Sequence, residues 1–223
     1  MNRICLSLTV VLMLCGLGRD VVLADPAMDK TPQVQYYNPS HKRWPDPNNI
    51  TIGVRALPEE KDVFRVYKKA IKAWNRTGVV HLKYDDNGPD IDCDAEGFAA
   101  EHKIDPKHYS TRNLGVTNVS TRDDHSGYNG SNLIDSASVT IDPTGIKKYA
   151  KRSHMNYKKL ELSVAEHEIG HALGLDHVKQ HDYSVMRPVA DKSILITKED
   201  AQHLRELYSN PVKINVPDEY QGR

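Results

Sequence analysis

The stretch that decides the fold is His167-Glu168-Ile169-Gly170-His171-Ala172-Leu173-Gly174-Leu175-Asp176-His177. Residues four apart on an α-helix lie about 40° apart around its axis, so His167 and His171 face the same way. Gly174 can adopt the left-handed conformation that ends a helix, which lets His177 return toward the same point. The spacing therefore predicts three imidazoles around one metal ion.

Three histidines leave one position of a tetrahedral zinc ion open for water, which is typical of catalytic rather than structural sites. Glu168 points about 100° away from His167 on the helix, so it is predicted to be a general base rather than another ligand. The alternative interpretation is a pair of hydrogen-bonded core histidines beside an unrelated surface histidine.

The residues around this motif predict a buried helix from about Lys159 to Leu173, which we call the zinc helix. Leu160 and Val164 continue the stripe of the two histidines, and the opposite side is also apolar. Imidazoles on a buried helix need partners for their lone pairs, and a metal ion supplies one.

The motif resembles the signature of the metzincin metallopeptidases, in which a methionine turn follows the third histidine. Met186 stands nine residues after His177, within Tyr183-Ser184-Val185-Met186-Arg187-Pro188, and fits that turn. The resemblance is closest to the matrixin branch and extends over about Trp44 to Asn210. It implies that Pro188 contributes to the wall of the pocket after the cut bond.

The order of the expected elements, a strand, a helix, several strands and two helices, predicts one domain of the α+β class. The expected architecture is a metzincin-like catalytic domain with a twisted mixed sheet, two long helices, the zinc helix, the Met-turn and a closing C-terminal helix at Thr197–Tyr208. Ser136–Ile141 precedes the zinc helix, as the substrate-binding edge strand does in metzincins. Ala137 and Val139 are therefore predicted to be substrate-binding residues, through main-chain pairing with an extended peptide.

Some positions depart from the matrixin pattern. Val178, after the third histidine, matches none of the well-known branches, and the cysteine-bearing latency motif is missing. The loop Asp123–Gly130 only weakly resembles the structural zinc and calcium loop. A structural Ca²⁺ is a further cofactor to consider, because an acidic run of hard oxygen ligands stands at Asp90, Asp92, Asp94 and Glu96.

Short-range patterns predict the other elements. Strands are expected at Ile50–Val54, 80–84, Leu114–Val119 and Ser136–Ile141. A helix is expected after Pro58, with an apolar face of Val63, Tyr67, Ala70 and Trp74, and another after the capping box at Thr197–Asp200. Asp85–Glu101 is predicted to be an acidic loop.

The first 24 residues have the pattern of a secretory signal peptide: a basic start, an apolar run from Ile4 to Leu17 and a cleavage site after Ala24. An N-terminal membrane anchor is the alternative, but the apolar run is shorter than the roughly 20 residues that a spanning helix needs. Beyond the signal peptide we expect a leader or short pro-segment at 25–43, the catalytic domain at 44–210 and a tail at 211–223. Cys93 is the one cysteine after residue 24 and is interpreted as a structural or surface thiol.

The charge balance limits the functions to consider. Thirty basic and 30 acidic residues give a net charge near zero, which gives no reason to expect nucleic acid as a partner. The sequence predicts a secreted, extracellular, monomeric zinc endopeptidase acting on protein or peptide, without stable membrane insertion. The alternatives are a non-proteolytic zinc-binding or adhesion protein on the same scaffold and a zinc amidase acting on cell-wall peptide.

Overall fold

The structure is a computed structural model, which describes the backbone of residues 19–23 and, with side chains, residues 42–95, 113–121, 133–178, 183–190 and 192–209. Three predicted features lie outside these residues: most of the leader at 25–43, the loop Asp123–Gly130 and the tail at 211–223. Glu96 of the acidic run lies outside them as well.

Six described strands form one mixed sheet. They are β1 (Arg19–Leu23), β2 (Ile50–Val54), β3 (Leu82–Tyr84), β4 (Ile91–Ala95), β5 (Asn113–Thr121) and β6 (Ile134–Ile141). Their order is β1-β5-β6-β4-β2-β3, in which β5 runs antiparallel to both neighbours and the other pairs are parallel. This sheet, together with the helices below, confirms the predicted fold class.

The predicted position of the edge strand is wrong. Residues 134–141 form β6, which pairs with β5 on one side and with β4 on the other. Ala137 lies opposite Ile91 and Val119, and Val139 lies opposite Cys93 and Thr117, so neither residue has a free main-chain edge. Order along the chain could not reveal this, because β6 inserts between two strands that precede it in the sequence.

Strand β5 lies on the outer side of β6, and β1 pairs antiparallel with its far edge, from Arg19 opposite Asn118 to Leu23 opposite Asn113. The five residues of β1 fall within the predicted signal peptide, whose removal stays a prediction. Cleavage after Ala24 would remove β1 and leave β5 at the edge of the sheet.

Strand β4 lies in the stretch that the sequence predicts to be an acidic loop, and that prediction is wrong for Ile91–Ala95. Its apolar residues, Ile91, Cys93 and Ala95, are fully buried and alternate with Asp92 and Asp94. The Asp92 carboxylate lies 2.8 Å from the Arg55 guanidinium. Alternation of period two is therefore present, but the two carboxylates conceal it.

Within the described residues, four α-helices accompany the sheet: α1 (Lys61–Asn75), α2 (Pro143–Arg152), α3 (Tyr157–Ala172) and α4 (Lys198–Ser209). Helices α1, α3 and α4 are at the predicted places, and α3 is the zinc helix. Helix α2 was not predicted, although Asp142 caps it by accepting a hydrogen bond from the Gly145 N–H at 2.7 Å and Pro143 stands in its first turn.

The core holds α3 against α1 and the sheet. The fully buried Trp74 of α1 donates its indole N–H to the carbonyl of Glu166 on α3, at 2.9 Å. Trp44 donates in the same way to the carbonyl of Ala172 at 2.8 Å, so the second half of α3 is held at two points. The Cys93 thiol is buried in this core, as expected of a structural cysteine. Among the described residues, no helix combines the length and apolar character needed to cross a membrane.

Candidate metal centre

Helix α3 aims two imidazoles at one point. His167 Nδ1 lies 2.7 Å from the carbonyl oxygen of Val185, and His171 Nδ1 lies 2.8 Å from that of Leu175. Each Nδ1–H donates to its carbonyl, which fixes the tautomer and leaves the Nε2 lone pair available for a metal ion. Both rings are nearly fully buried, so their orientation is set by the core.

The third imidazole reaches the same point because the chain turns at Gly174. The φ angle of Gly174 is +94°, and a Cβ atom there would meet the Lys42 carbonyl oxygen at 2.0 Å. Only glycine fits this turn without strain. The Nε2 atom of His177 then lies 3.2 Å from the Nε2 atoms of both His167 and His171, which are 2.8 Å apart.

These distances fit a zinc ion. Three nitrogens at about 2.0–2.1 Å from a tetrahedral zinc would lie roughly 3.3 Å from one another. His167, His171 and His177 form a cluster close to that size, and each offers one ligand atom. The predicted ligands His167, His171 and His177 are therefore brought together as the sequence indicated.

Electrostatics keep the imidazoles in the form that binds metal. Burial lowers the pKa of His167 and of His171 well below the usual histidine value, and the neighbouring imidazoles lower both further. A neutral ring offers its nitrogen lone pair, whereas an imidazolium cannot. The site therefore favours the binding of a metal cation over protonation of the imidazoles.

Met186 is buried against the zinc helix. Its side chain is 1% exposed and packs against Gly170 of α3, where an added Cβ atom would meet the sulfur at 2.4 Å. Its carbonyl oxygen accepts the Val178 N–H at 3.0 Å, directly after the third histidine. Met186 therefore lies between α3 and the segment that follows His177, and its role as the Met-turn stays a prediction.

Hydrogen bonds to Asp200 of α4 hold the turn that contains Met186. The fully buried carboxylate accepts the Val185 N–H at 3.1 Å and the Ser184 hydroxyl. It also accepts the Thr197 N–H and hydroxyl, each at 2.8 Å, which completes the predicted capping box. Because Val185 is also the partner of His167, Asp200 acts on a metal ligand through the backbone.

Glu168 lies on the side of α3 that faces β5. Its side chain is fully buried, and the Thr117 hydroxyl lies 2.7 Å from Oε2. Gly115 makes room for the carboxylate, because a Cβ atom there would lie 2.7 Å from Oε1. Sequence reasoning missed Thr117 and Gly115, because the strand pattern of β5 does not show which helix it contacts.

The carboxylate of Glu166 connects α3 to the loop that follows Met186. Burial raises the pKa of Glu166 to about 7, and its Oε2 accepts the Ile196 N–H at 2.8 Å. On the same side, the Ser163 hydroxyl donates to the Ile194 carbonyl. These two contacts fix the loop after the Met-turn against α3.

A pocket opens beside His167 between α3 and that loop. Its empty volume is about 280 Å³, including space open to solvent. Arg187 and Val189 line it, so Pro188 lies between two lining residues while its own predicted role stays a prediction. Ala137 and Val139 are not among the lining residues.

The acidic run that suggested calcium does not converge in its described part. Asp90 Oδ2 accepts the Thr51 N–H and hydroxyl at 2.7 and 2.8 Å, and Asp92 pairs with Arg55. Asp94 is buried and bonded to the Thr140 hydroxyl, and burial raises its pKa to about 7. Over the described residues, the metal-binding cluster found is the histidine triplet.

A comparison with curated proteins finds no match, whereas a comparison with protein families does identify one. Residues 43–209 match the matrixin family, which covers most of the chain and includes all three histidines, Glu168 and Met186. The chain therefore belongs to the matrixin family of zinc metallopeptidases.

Proposed function

We propose that this protein is a secreted endopeptidase that cuts internal peptide bonds with Glu168 as general base. One observation carries the proposal: three Nε2 atoms converge within 2.8–3.2 Å, and the adjacent carboxylate is held against β5. A site that only bound metal would have no need for that fixed carboxylate.

Zinc, when bound by the three imidazoles, supplies a Lewis acid that polarises the scissile carbonyl and lowers the pKa of water. Glu168 accepts the proton of the attacking water and later delivers it to the leaving amine. Thr117 fixes the carboxylate orientation in which this transfer takes place. During these steps, the carbonyls of Val185 and Leu175 keep the imidazole rings of His167 and His171 in a fixed orientation.

The substrate is proposed to lie along β5. Gly115 and Thr117 place this strand against Glu168, so a peptide paired to its outer edge would pass beside the metal centre. The antiparallel pairing of β1 with residues 113–118 supports such a mode, because an extended segment fits the edge. An edge that binds a strand along its length favours internal bonds over chain ends.

Secretion is proposed from the N-terminal pattern that ends at Ala24. Removal of that segment would take β1 away from β5 and open the edge to substrate. The proposed partner is an extended stretch of protein or peptide. The near-zero net charge supports neither nucleic acid nor an anionic membrane as a partner.

Metal content by elemental analysis and cleavage of a peptide library, measured on the same preparations, test the proposal. Wild type, Glu168→Gln and the control Glu199→Gln, an exposed carboxylate in the first turn of α4, are compared. We expect one zinc per chain in all three and cleavage by wild type and control only.

Two outcomes would contradict the proposal. Zinc in every preparation with no cleavage by wild type would favour the zinc-binding or adhesion function. Cleavage of purified cell-wall peptide, but of no ordinary peptide, would favour the amidase.

Secretion is tested separately by N-terminal sequencing of the exported protein, which should begin at Asp25.

A further inference from the structure

Helix α2 and the start of α3 carry an excess of positive charge that the near-zero net charge of the chain conceals. From residue 143 to residue 160 the sequence has six basic residues and neither aspartate nor glutamate. All six are exposed, and we call them the basic patch: Lys147, Lys148, Lys151, Arg152, Lys158 and Lys159.

The fold gathers the basic patch on one surface. On α2, Ile146 and Ala150 are buried, and the four basic residues of this helix lie on the opposite face. The connection to α3 is tight, because the Met155 N–H donates to the Ala150 carbonyl at 2.9 Å. The first turn of α3, which holds Lys158 and Lys159, therefore follows directly on the basic end of α2.

The charges of the basic patch are not neutralised by ion pairs. Arg65 of α1 pairs with Asp62 at 3.0 Å, whereas no carboxylate in the described part of the chain pairs with a residue of the patch. Lys158 and Lys159 stand at the N-terminal end of α3, where the helix dipole disfavours cations, and the first turn holds no acidic residue. Glu161, the next acidic residue along the chain, is buried. Mutual repulsion within the patch destabilises the folded protein, and a bound polyanion would relieve it.

A linear polymer fits the arrangement of these charges. The basic face of α2 extends over a helix of ten residues, about 15 Å long, and continues onto α3. A row of this kind matches repeated anionic groups along a chain better than one small anion.

The surroundings of the patch favour a polysaccharide among the anionic polymers. Proteins that bind single-stranded nucleic acid stack bases on aromatic side chains, and the aromatic ring of α2, Tyr149, is buried. Binding in a membrane interface needs exposed apolar side chains, and the two large ones found among the described residues, Tyr84 and Tyr183, lie outside the patch. A charged polysaccharide requires neither feature.

We propose that the basic patch binds a linear anionic polysaccharide and so holds the enzyme at an extracellular surface that carries this polymer. The extracellular setting rests on the proposed secretion, whereas the excess of positive charge does not. Lys159 precedes His167 by eight residues, about 12 Å along α3, so a polymer on the patch leaves the metal centre free for a peptide.

The test is binding to heparin, a linear sulfated polysaccharide. The purified wild type should be retained on immobilised heparin and elute at higher salt than from a simple sulfonate exchanger. Its affinity in solution should fall about 100-fold between about 50 and 200 mM salt, because roughly four ionic contacts release counterions from the polymer.

Two double variants locate the binding surface. Lys148→Glu with Lys151→Glu reverses two exposed charges of the patch and should weaken heparin binding about tenfold or more. The matched control, Lys69→Glu with Lys72→Glu, makes the same change with the same spacing on the exposed side of α1 and should bind as wild type does.

A neutral variant separates lost attraction from added repulsion. Lys148→Gln with Lys151→Gln should lower the slope of log Kd against log salt concentration by about two, since two ionic contacts are removed. All these variants should cut a short peptide as wild type does, because none of the changed residues belongs to the metal centre.

Three results would overturn the inference: no retention of wild type on heparin beyond that on the sulfonate exchanger, equal loss of affinity in the patch and control variants, or binding of duplex DNA or of anionic vesicles at least as tight as binding of heparin. The third result would assign the patch to nucleic acid or to a membrane instead. Failure of wild type to cut any peptide would contradict the peptidase function alone, since retention on heparin needs no cleavage.

Discussion

The hydroxyl of Thr117 lies 2.7 Å from Oε2 of Glu168 and 2.9 Å from the carbonyl oxygen of the same residue. This contact joins the strand proposed to bind substrate to the residue proposed to move the proton. A hydroxyl that donates to a buried carboxylate fixes its orientation, and the geometry of proton transfer depends on that orientation.

Replacement of Thr117 by valine keeps the shape of the side chain and removes this donor. We expect the kcat for peptide cleavage to fall about 10- to 100-fold, because Glu168 loses its fixed orientation. Zinc content should stay unchanged, since no metal ligand contacts the hydroxyl in the described structure. Thr117→Ser keeps the donor and should stay within a few-fold of wild type; equal activity of both variants would contradict this role.

Gly115→Ala tests the space that the carboxylate of Glu168 occupies. The added Cβ atom would lie 2.7 Å from Oε1 and 2.8 Å from Cγ of Glu168, so the side chain has to move. We expect kcat to fall by about tenfold or more and the free energy of unfolding to fall by about 1–3 kcal/mol. In a Glu168→Ala background the same change should be almost neutral in stability, because the clash is gone. An additive effect in urea unfolding would contradict this interpretation.

The metal centre could be predicted from sequence because its information is local. His167 and His171 share a helix, Gly174 reverses the chain, and His177 follows three residues later. Helix periodicity and glycine conformation are sufficient to bring these groups together. The predicted zinc helix and the capping box at Thr197 were local for the same reason.

The substrate side of the site could not be predicted in this way. Strand order is set by packing across the whole sheet. The local pattern of residues 134–141 therefore gave no sign that β5 would pair with their outer edge. The contact of Thr117 with Glu168 joins residues 51 positions apart and has no sequence signature. Strand β4 was missed because Asp92 and Asp94 interrupt its apolar residues.

Asp200→Asn should weaken both the fold and the metal centre. The buried carboxylate accepts hydrogen bonds from Ser184, Val185 and Thr197, and an amide in its place has one acceptor oxygen instead of two. We expect the free energy of unfolding to fall by about 2–5 kcal/mol. Zinc affinity should fall about 10- to 100-fold, since the Val185 carbonyl orients His167.

The neighbouring carboxylate supplies the control for that prediction. Glu199 precedes Asp200 in the same helical turn but is exposed, so Glu199→Gln should change both quantities little. Competition with a chelator gives the zinc affinity, and denaturant unfolding of the metal-loaded protein gives the stability. Equal zinc affinity in the two variants would show that the turn holds His167 without help from Asp200.

Asp94 should make stability depend on pH. Its pKa is raised to about 7, mainly by burial and to a smaller extent by the nearby Asp92, whereas the Thr140 hydroxyl bonded to it acts in the opposite direction. The folded protein therefore binds this proton more tightly than the unfolded chain, whose aspartates titrate near pH 4. The contribution to stability is complete below about pH 4 and is lost as the pH rises toward 7. The total loss from this group is on the order of 2–4 kcal/mol.

Asp94→Asn removes this titration while keeping the shape of the side chain. We expect the free energy of unfolding of the variant, relative to wild type, to increase from pH 5 to pH 8 in urea titrations. Asp135→Asn, an exposed position on β6, is the control and should show no such trend. A difference between Asp94→Asn and wild type that stays constant with pH would mean that the carboxyl is not buried in its neutral form. In that case the outer face of β4 would have to admit water or a cation to Asp94.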